Sequence, residues 1–98
     1  METLDKLINK FNETGYNELA EVIEDSLDDM FNDVEVGNTF HIIHLDSMYI
    51  QGIIGTLAAL HLITDEECMG ALDEIFSYLI EKKQMESGYA DVEESEDE

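Results

Sequence analysis

A chain of 98 residues carrying 25 acidic side chains against four lysines, with no arginine, has a formal net charge of −21 and a pI near 4.1. With no basic footprint it should bind neither nucleic acid nor an anionic membrane surface directly. Yet 44% of its residues are hydrophobic, enough to favour one folded domain over a charge-expanded chain.

Proline and tryptophan are absent, so uninterrupted helices are allowed almost everywhere. Cys68 is the single cysteine; it can form no intramolecular disulfide or cysteine zinc site, which suits a reducing, cytoplasmic setting. The opening METLDKLINK has no basic stretch leading into an apolar core and does not read as a signal peptide.

In chain order, Leu4, Leu7, Ile8 and Phe11 recur at helical spacing, and Gly15 stands where a left-handed cap would end that helix. Asn17 is the expected N-cap of a second helix, roughly Glu18 to Asn32. Its apolar half is Leu19, Ala20, Val22, Ile23, Leu27, Met30 and Phe31. Residues 34–45, VEVGNTFHIIHL, suit either a short extended stretch turning at Gly37-Asn38 or a packed loop, and the loop is favoured. Asp46 or Ser47 is then expected to cap a third helix, SMYIQGIIGTLAALHL, apolar on nearly every side.

That third segment needs a membrane check. Its charge-free run from Ser47 to Thr64 is 18 residues, at the lower edge of a spanning length. Gln51 and His61 interrupt it and acids flank both ends, so a buried central helix is the reading taken. Gly52-x-x-x-Thr56 and Gly55-x-x-x-Ala59 permit close approach by another helix, and any side left uncovered suits a homodimer interface. Thr64-Asp65-Glu66-Glu67 is a capping box for a fourth helix. That helix should turn Cys68, Leu72, Ile75, Phe76, Leu79 and Ile80 inward and Asp73, Glu74, Ser77 and Glu81 outward, with Lys82 and Lys83 near its end. The expected fold is all-α: a bundle of about four helices over residues 1–85, with an irregular or short extended segment at 34–45 and a disordered acidic tail at 86–98.

Motifs for chemistry are sparse. His41-x-x-His44 with Asp46 nearby is the best metal cluster on offer, but His61 and Cys68 are distant in sequence and no metal or other cofactor is expected. The run DSLDDMFNDVEV lacks the glycine and final glutamate of a calcium loop. No nucleophile elbow or phosphate loop is present, and helix faces offer no deep cleft to separate the pKa values of paired carboxylates. An enzyme is not expected.

What stands out is the charge distribution. Residues 18–35 sum to −8, while the stretches on either side, 1–17 and 36–64, each sum to −1. Glu18, Glu21, Glu24, Asp25, Asp28, Asp29, Asp33 and Glu35 supply that charge without an intervening lysine. The pairs Glu21–Asp25, Glu24–Asp28, Asp25–Asp29 and Asp29–Asp33 are like charges four apart, together destabilising the helix by about 1–2 kcal/mol. A helix over these residues would be about 27 Å long, or one carboxylate per roughly 3.4 Å, the phosphate spacing along one strand of B-DNA.

In that character, carried by ELAEVIEDSLDDMFNDVE and the tail VEESEDE, the chain resembles the small acidic DNA mimics of bacteriophages, the anti-restriction and anti-CRISPR inhibitors. The resemblance implies a non-enzymatic inhibitor, acting in the host bacterial cytoplasm, that blocks the groove of a basic nucleic-acid-binding protein such as a defence nuclease or CRISPR effector. The eight carboxylates would stand in for phosphates. Asp65, Glu66, Glu67, Asp73 and Glu74 would extend the track if the fourth helix lay beside the second. The alternative is a small acidic adaptor or chaperone that holds a partner protein on the apolar helix 47–63.

Overall fold

Residues 1–84 are described by a computed structural model, in which helix α1 spans Glu2–Glu13, α2 Asn17–Glu35, α3 Phe40–Ala59 and α4 Asp65–Glu81. The expected acidic tail at 86–98 and its boundary lie outside the described residues. Each helix packs against its neighbours in the chain and α4 closes the ring on α1, so α1–α3 and α2–α4 are the diagonals. The expected all-α bundle of four helices is the architecture found.

Each helix contributes one stripe at helical spacing. Leu4, Leu7 and Phe11 come from α1, and Ala20, Ile23, Leu27 and Met30 from α2. Helix α3 adds Ile43, Ile50, Ile54 and Leu57, and α4 adds Ala71, Ile75 and Leu79. Removing these side chains from water drives the fold. Across the α2–α4 diagonal, Phe31 and Tyr78 meet edge to face at 4.8 Å between ring centroids, a favoured aromatic geometry.

All four helices are followed by a residue of positive φ: Gly15 at 91°, Gly37 at 76°, His61 at 61° and Lys83 at 60°. Each reversal lets the next N–H reach back to a terminal carbonyl. Tyr16 N–H donates to Phe11 O at 2.7 Å, Asn38 to Asp33 at 2.9 Å, Leu62 to Leu57 at 2.9 Å and Gln84 to Leu79 at 2.8 Å. Gly15 and Gly37 adopt this conformation freely, whereas His61 and Lys83 carry a Cβ that opposes it.

Several local expectations are corrected. Helix α2 begins at Asn17 itself, with Tyr16 at the cap position, and continues to Glu35. The irregular segment expected over 34–45 shrinks to residues 36–39, because α3 begins at Phe40. Asp46 and Ser47 lie within α3 rather than at its cap. That role falls to Thr39, whose hydroxyl accepts from Ile42 N–H at 3.4 Å. Ile43 explains the longer helix, since it continues the 4-3-4-3 spacing of Ser47, Ile50, Ile54 and Leu57. Ser47 is fully buried in this stripe, and its hydroxyl accepts from Gln51 Nε2 at 2.7 Å.

The capping box at α4 forms as expected: Glu67 N–H donates to Thr64 Oγ1 at 3.0 Å and Thr64 N–H to Glu67 Oε1 at 2.8 Å. Two α4 residues depart from expectation. Ile80 is exposed, and Glu74 is half-buried against α1.

Candidate interaction surface

Helix α2 turns Ile23, Leu27 and Met30 into the bundle, which forces the intervening acids outward. Glu18, Glu21, Glu24, Asp25, Asp28, Asp29 and Glu35 are all exposed. Among the described residues, the two ion pairs lie elsewhere: Lys6 with Glu2 at 3.2 Å and Lys10 with Glu67 at 3.5 Å. Lys82 stands over the Tyr78 ring at 5.9 Å. The seven carboxylates therefore form an acidic ridge with no lysine ion-paired to it; at its C-terminal end Glu35 and Lys82 line one hollow.

Asp33 is different. It is half-buried at the α2–α3 corner, where Asn38 stitches the turn. Asn38 Nδ2 donates to Asp33 Oδ1 at 3.1 Å, and its own Oδ1 accepts from Thr39 N–H at 2.9 Å. Asp46 of α3 faces the same spot, its buried Oδ2 accepting from no donor group. Burial, reinforced by the Asp33 carboxylate and the charges of Asp33 and Asp29, pushes the Asp46 carboxyl up to about 6. Asp33 is held below the ordinary carboxylate range by hydrogen bonds from Asp46 and Asn38. Asp33 is thus half of a carboxyl pair that joins two helices. The sequence reading, with Asp46 as a candidate helix cap rather than within α3, could not see this partnership.

The proposed extension of the acidic track divides into two groups. Helix α4 packs on α1 and α3 and lies diagonally from α2, so the condition set for a continuous track is not met. Asp65, Glu66 and Asp73 are exposed. Glu67 caps its own helix and reaches Lys10, and the Thr64 N–H bond, with the lysine's help, holds its carboxylate below the ordinary range. Glu74 accepts from Thr3 N–H at 2.7 Å and Leu4 N–H at 3.1 Å, capping an α1 that has no side-chain cap of its own. Its burial opposes ionisation, but these Thr3 and Leu4 bonds prevail and its pKa is lowered.

His41 and His44 are exposed on α3, where His44 stacks on Phe40 at 5.8 Å, while Asp46 faces Asp33. Among the described residues no three His, Cys, Asp or Glu side chains converge as metal ligands.

A second surface adjoins the acidic ridge. Between α2 and α3 runs a shallow apolar groove lined by Leu19 and Val22 on one wall and Met48, Tyr49, Ile53 and Leu60 on the other. Val22, expected inward, is 41% exposed here, and Tyr49 is 64% exposed. Helix α3 also has the length and composition of a membrane span, with 28% of that stretch buried. Its stripe from Ile43 to Leu57 faces the core. The buried central helix expected from the sequence is instead one of four around the core, with its outer half exposed. The signal that could have found this groove is the helical phase of α3, once carried back to Phe40.

Comparison of the chain with family models, curated proteins and solved structures finds no match. The functional reading therefore rests on these two surfaces.

Proposed function

We propose that the protein is a non-enzymatic inhibitor that imitates DNA and occupies the groove of a basic nucleic-acid-binding protein, such as a nuclease or CRISPR effector of a bacterial host. The observation that carries this reading is the α2 ridge: seven exposed carboxylates on one 19-residue helix, with no lysine paired to them among the described residues. A surface kept only for solubility mixes both signs, whereas a basic groove gains affinity by neutralising a dense row of one sign. Glu18, Glu21, Glu24, Asp25, Asp28, Asp29 and Glu35 are the phosphate surrogates. Asp33, tied to Asn38 and Asp46, holds the corner in place.

The test replaces Glu21→Gln, Asp25→Asn and Asp28→Asn together. All three side chains are exposed, and the change removes three of the like-charge pairs, so stability should hold or rise by about 1 kcal/mol. Displacement of DNA from the target should weaken, with a shallower dependence of affinity on salt. Unchanged affinity and salt slope would refute the proposal. The adaptor reading, favoured by the exposed α2–α3 groove, would then lead. It calls for salt-tolerant partner binding that is lost on Tyr49→Ala or Ile53→Ala.

A further inference from the structure

Independently of the acidic ridge, we propose that the outward face of α3 binds a second copy of this chain, as an antiparallel two-fold helix pair crossing at Gly52. Asp46 is the only Asp, Glu, Lys or Arg on this 20-residue helix, and it faces Asp33 of α2. The outward half thus carries no carboxylate or ammonium group, with His41 and His44 near its N-terminal end, in a molecule with a net charge of −21. Two copies can approach most closely where neither presents charge.

The occupant is identified by how size is distributed along the face. Leu45, Met48 and Tyr49 are about half or more exposed. Beyond Gly52 the exposed residues within the helix are small, namely Gly55, Thr56 and Ala59, and the large exposed Leu60 comes only at its C-cap. A two-fold axis through Gly52 sets Tyr49 opposite the partner copy's Gly55, Met48 opposite Thr56, and Leu45 opposite Ala59. These lie three, four and seven residues either side of the crossing, which is the helical repeat. Bulky residues then fill the spaces above small ones on both sides of the axis, as an isologous contact requires. A parallel pair would set bulk against bulk and leave the small ends empty. A partner of different sequence needs no such reciprocity.

Within the monomer a Cβ built on Gly52 or Gly55 meets nothing within 4 Å, so the fold itself does not require glycine there. Glycine is nonetheless among the least favourable residues in a helix. Close approach of a second backbone accounts for both positions.

The available area sets the strength. A helix of this length is about 30 Å long and roughly 11 Å across. With the flanking walls each copy would bury on the order of 500–600 Å², at the low end for specific association. A dimer with micromolar dissociation constant is expected.

Sedimentation of the full chain over a concentration series at low and high salt tests this. The mass should rise from one chain toward two, with a dissociation constant several-fold lower at high salt because screening relieves repulsion. Gly52→Leu with Gly55→Leu should raise that constant at least tenfold while circular dichroism and melting temperature hold or increase. Met48→Lys, at an exposed position, should do the same if the double variant folds poorly. Register is read by mixing a Met48→Cys chain with a Thr56→Cys chain, both carrying Cys68→Ser, under mild oxidation: the mixed cross-link should dominate. A single-chain mass under every condition, association unchanged in the folded variants, or predominant cross-linking of Met48→Cys to itself would each overturn the proposal. A single-chain mass together with salt-tolerant binding of a different protein, abolished by Met48→Lys, would overturn it in favour of the adaptor reading.

Discussion

The carboxyl pair at the α2–α3 corner makes stability depend on pH in a way one substitution can isolate. Asp46 titrates at about 6 in the folded protein, against an ordinary value of 3.8. The folded state therefore holds its proton more tightly than the unfolded chain. That contribution is fully present below about pH 3.8, declines as pH rises through about 6, and is absent above. The difference corresponds to at most about 3 kcal/mol, and about 1–2 kcal/mol is expected once solvent access to the half-buried residue is allowed for. The lowered value of Asp33 acts in the opposite sense but only as pH falls below the ordinary carboxylate range, outside this window. Asp46→Asn keeps the shape, removes the charge and supplies an amide that can donate to Asp33. By urea denaturation the variant should exceed the parent by about 1–2 kcal/mol near pH 7.5, an advantage that shrinks to roughly a third of that near pH 4.5. The corresponding gain in melting temperature is about 4–16 °C for a domain of this size. Other carboxylates also ionise across this range, so the decisive quantity is the difference between the two curves. Parallel curves would show that Asp46 ionises freely and that the corner stores no repulsion.

Three further outcomes are expected. His61→Gly removes a Cβ from a residue at φ 61° and should stabilise the fold by about 1 kcal/mol in urea melts; a loss would mean the imidazole makes a contact that matters more than its backbone. Glu74→Gln removes the carboxylate that accepts from Thr3 and Leu4 N–H and should cost about 1–2 kcal/mol near neutral pH. Because the Glu74 pKa is lowered by folding, this difference should shrink as pH falls through its folded value, and a constant difference would refute the charge-assisted cap. Moderate salt should raise the melting temperature, since residues 1–85 carry a net charge of −14 and screening relieves repulsion; a fall on adding salt would mean that ion pairs such as Lys10–Glu67 dominate.

Much of the bundle was legible because local signals agreed. The spacing of Leu4, Leu7 and Phe11, the glycine at 15 and the Thr64–Glu67 box each identify an element with its own physics. The exposure of the α2 acids followed from the opposite, apolar half of that helix. The start of α3 was missed because Phe40-His41-Ile42-Ile43-His44-Leu45 is rich in aromatic and β-branched residues, which suit extended backbone equally well locally. Only tertiary burial of Ile43 in line with Ser47 and Ile50 decides for helix. Glu74 illustrates a second limit. It lies on the outward half of α4 by periodicity, but its use depends on an uncapped α1 terminus some 70 residues away in sequence, which no local pattern contains.

The two surfaces, as proposed, are opposites in their response to ions. The ridge of α2 recruits a basic partner through counterion release, so its affinity should fall as salt rises. The outward face of α3 carries no Asp, Glu, Lys or Arg, and what opposes its pairing is repulsion between two acidic bodies, so its affinity should rise as salt is added. They also lie on different helices, the ridge on α2 and the pairing face on α3. The four lysines fit this division, since Lys6, Lys10 and Lys82 are engaged on α1 and α4 and Lys83 follows α4. None forms an ion pair with the ridge, which meets Lys82 only at its C-terminal end, where Glu35 and that lysine line one hollow. Its like-charge pairs cost the isolated fold about 1–2 kcal/mol, and the exposed glycines of α3 lower helix stability as well. Both features weaken the monomer at positions where the monomer gains nothing, and association is the event that would offset each.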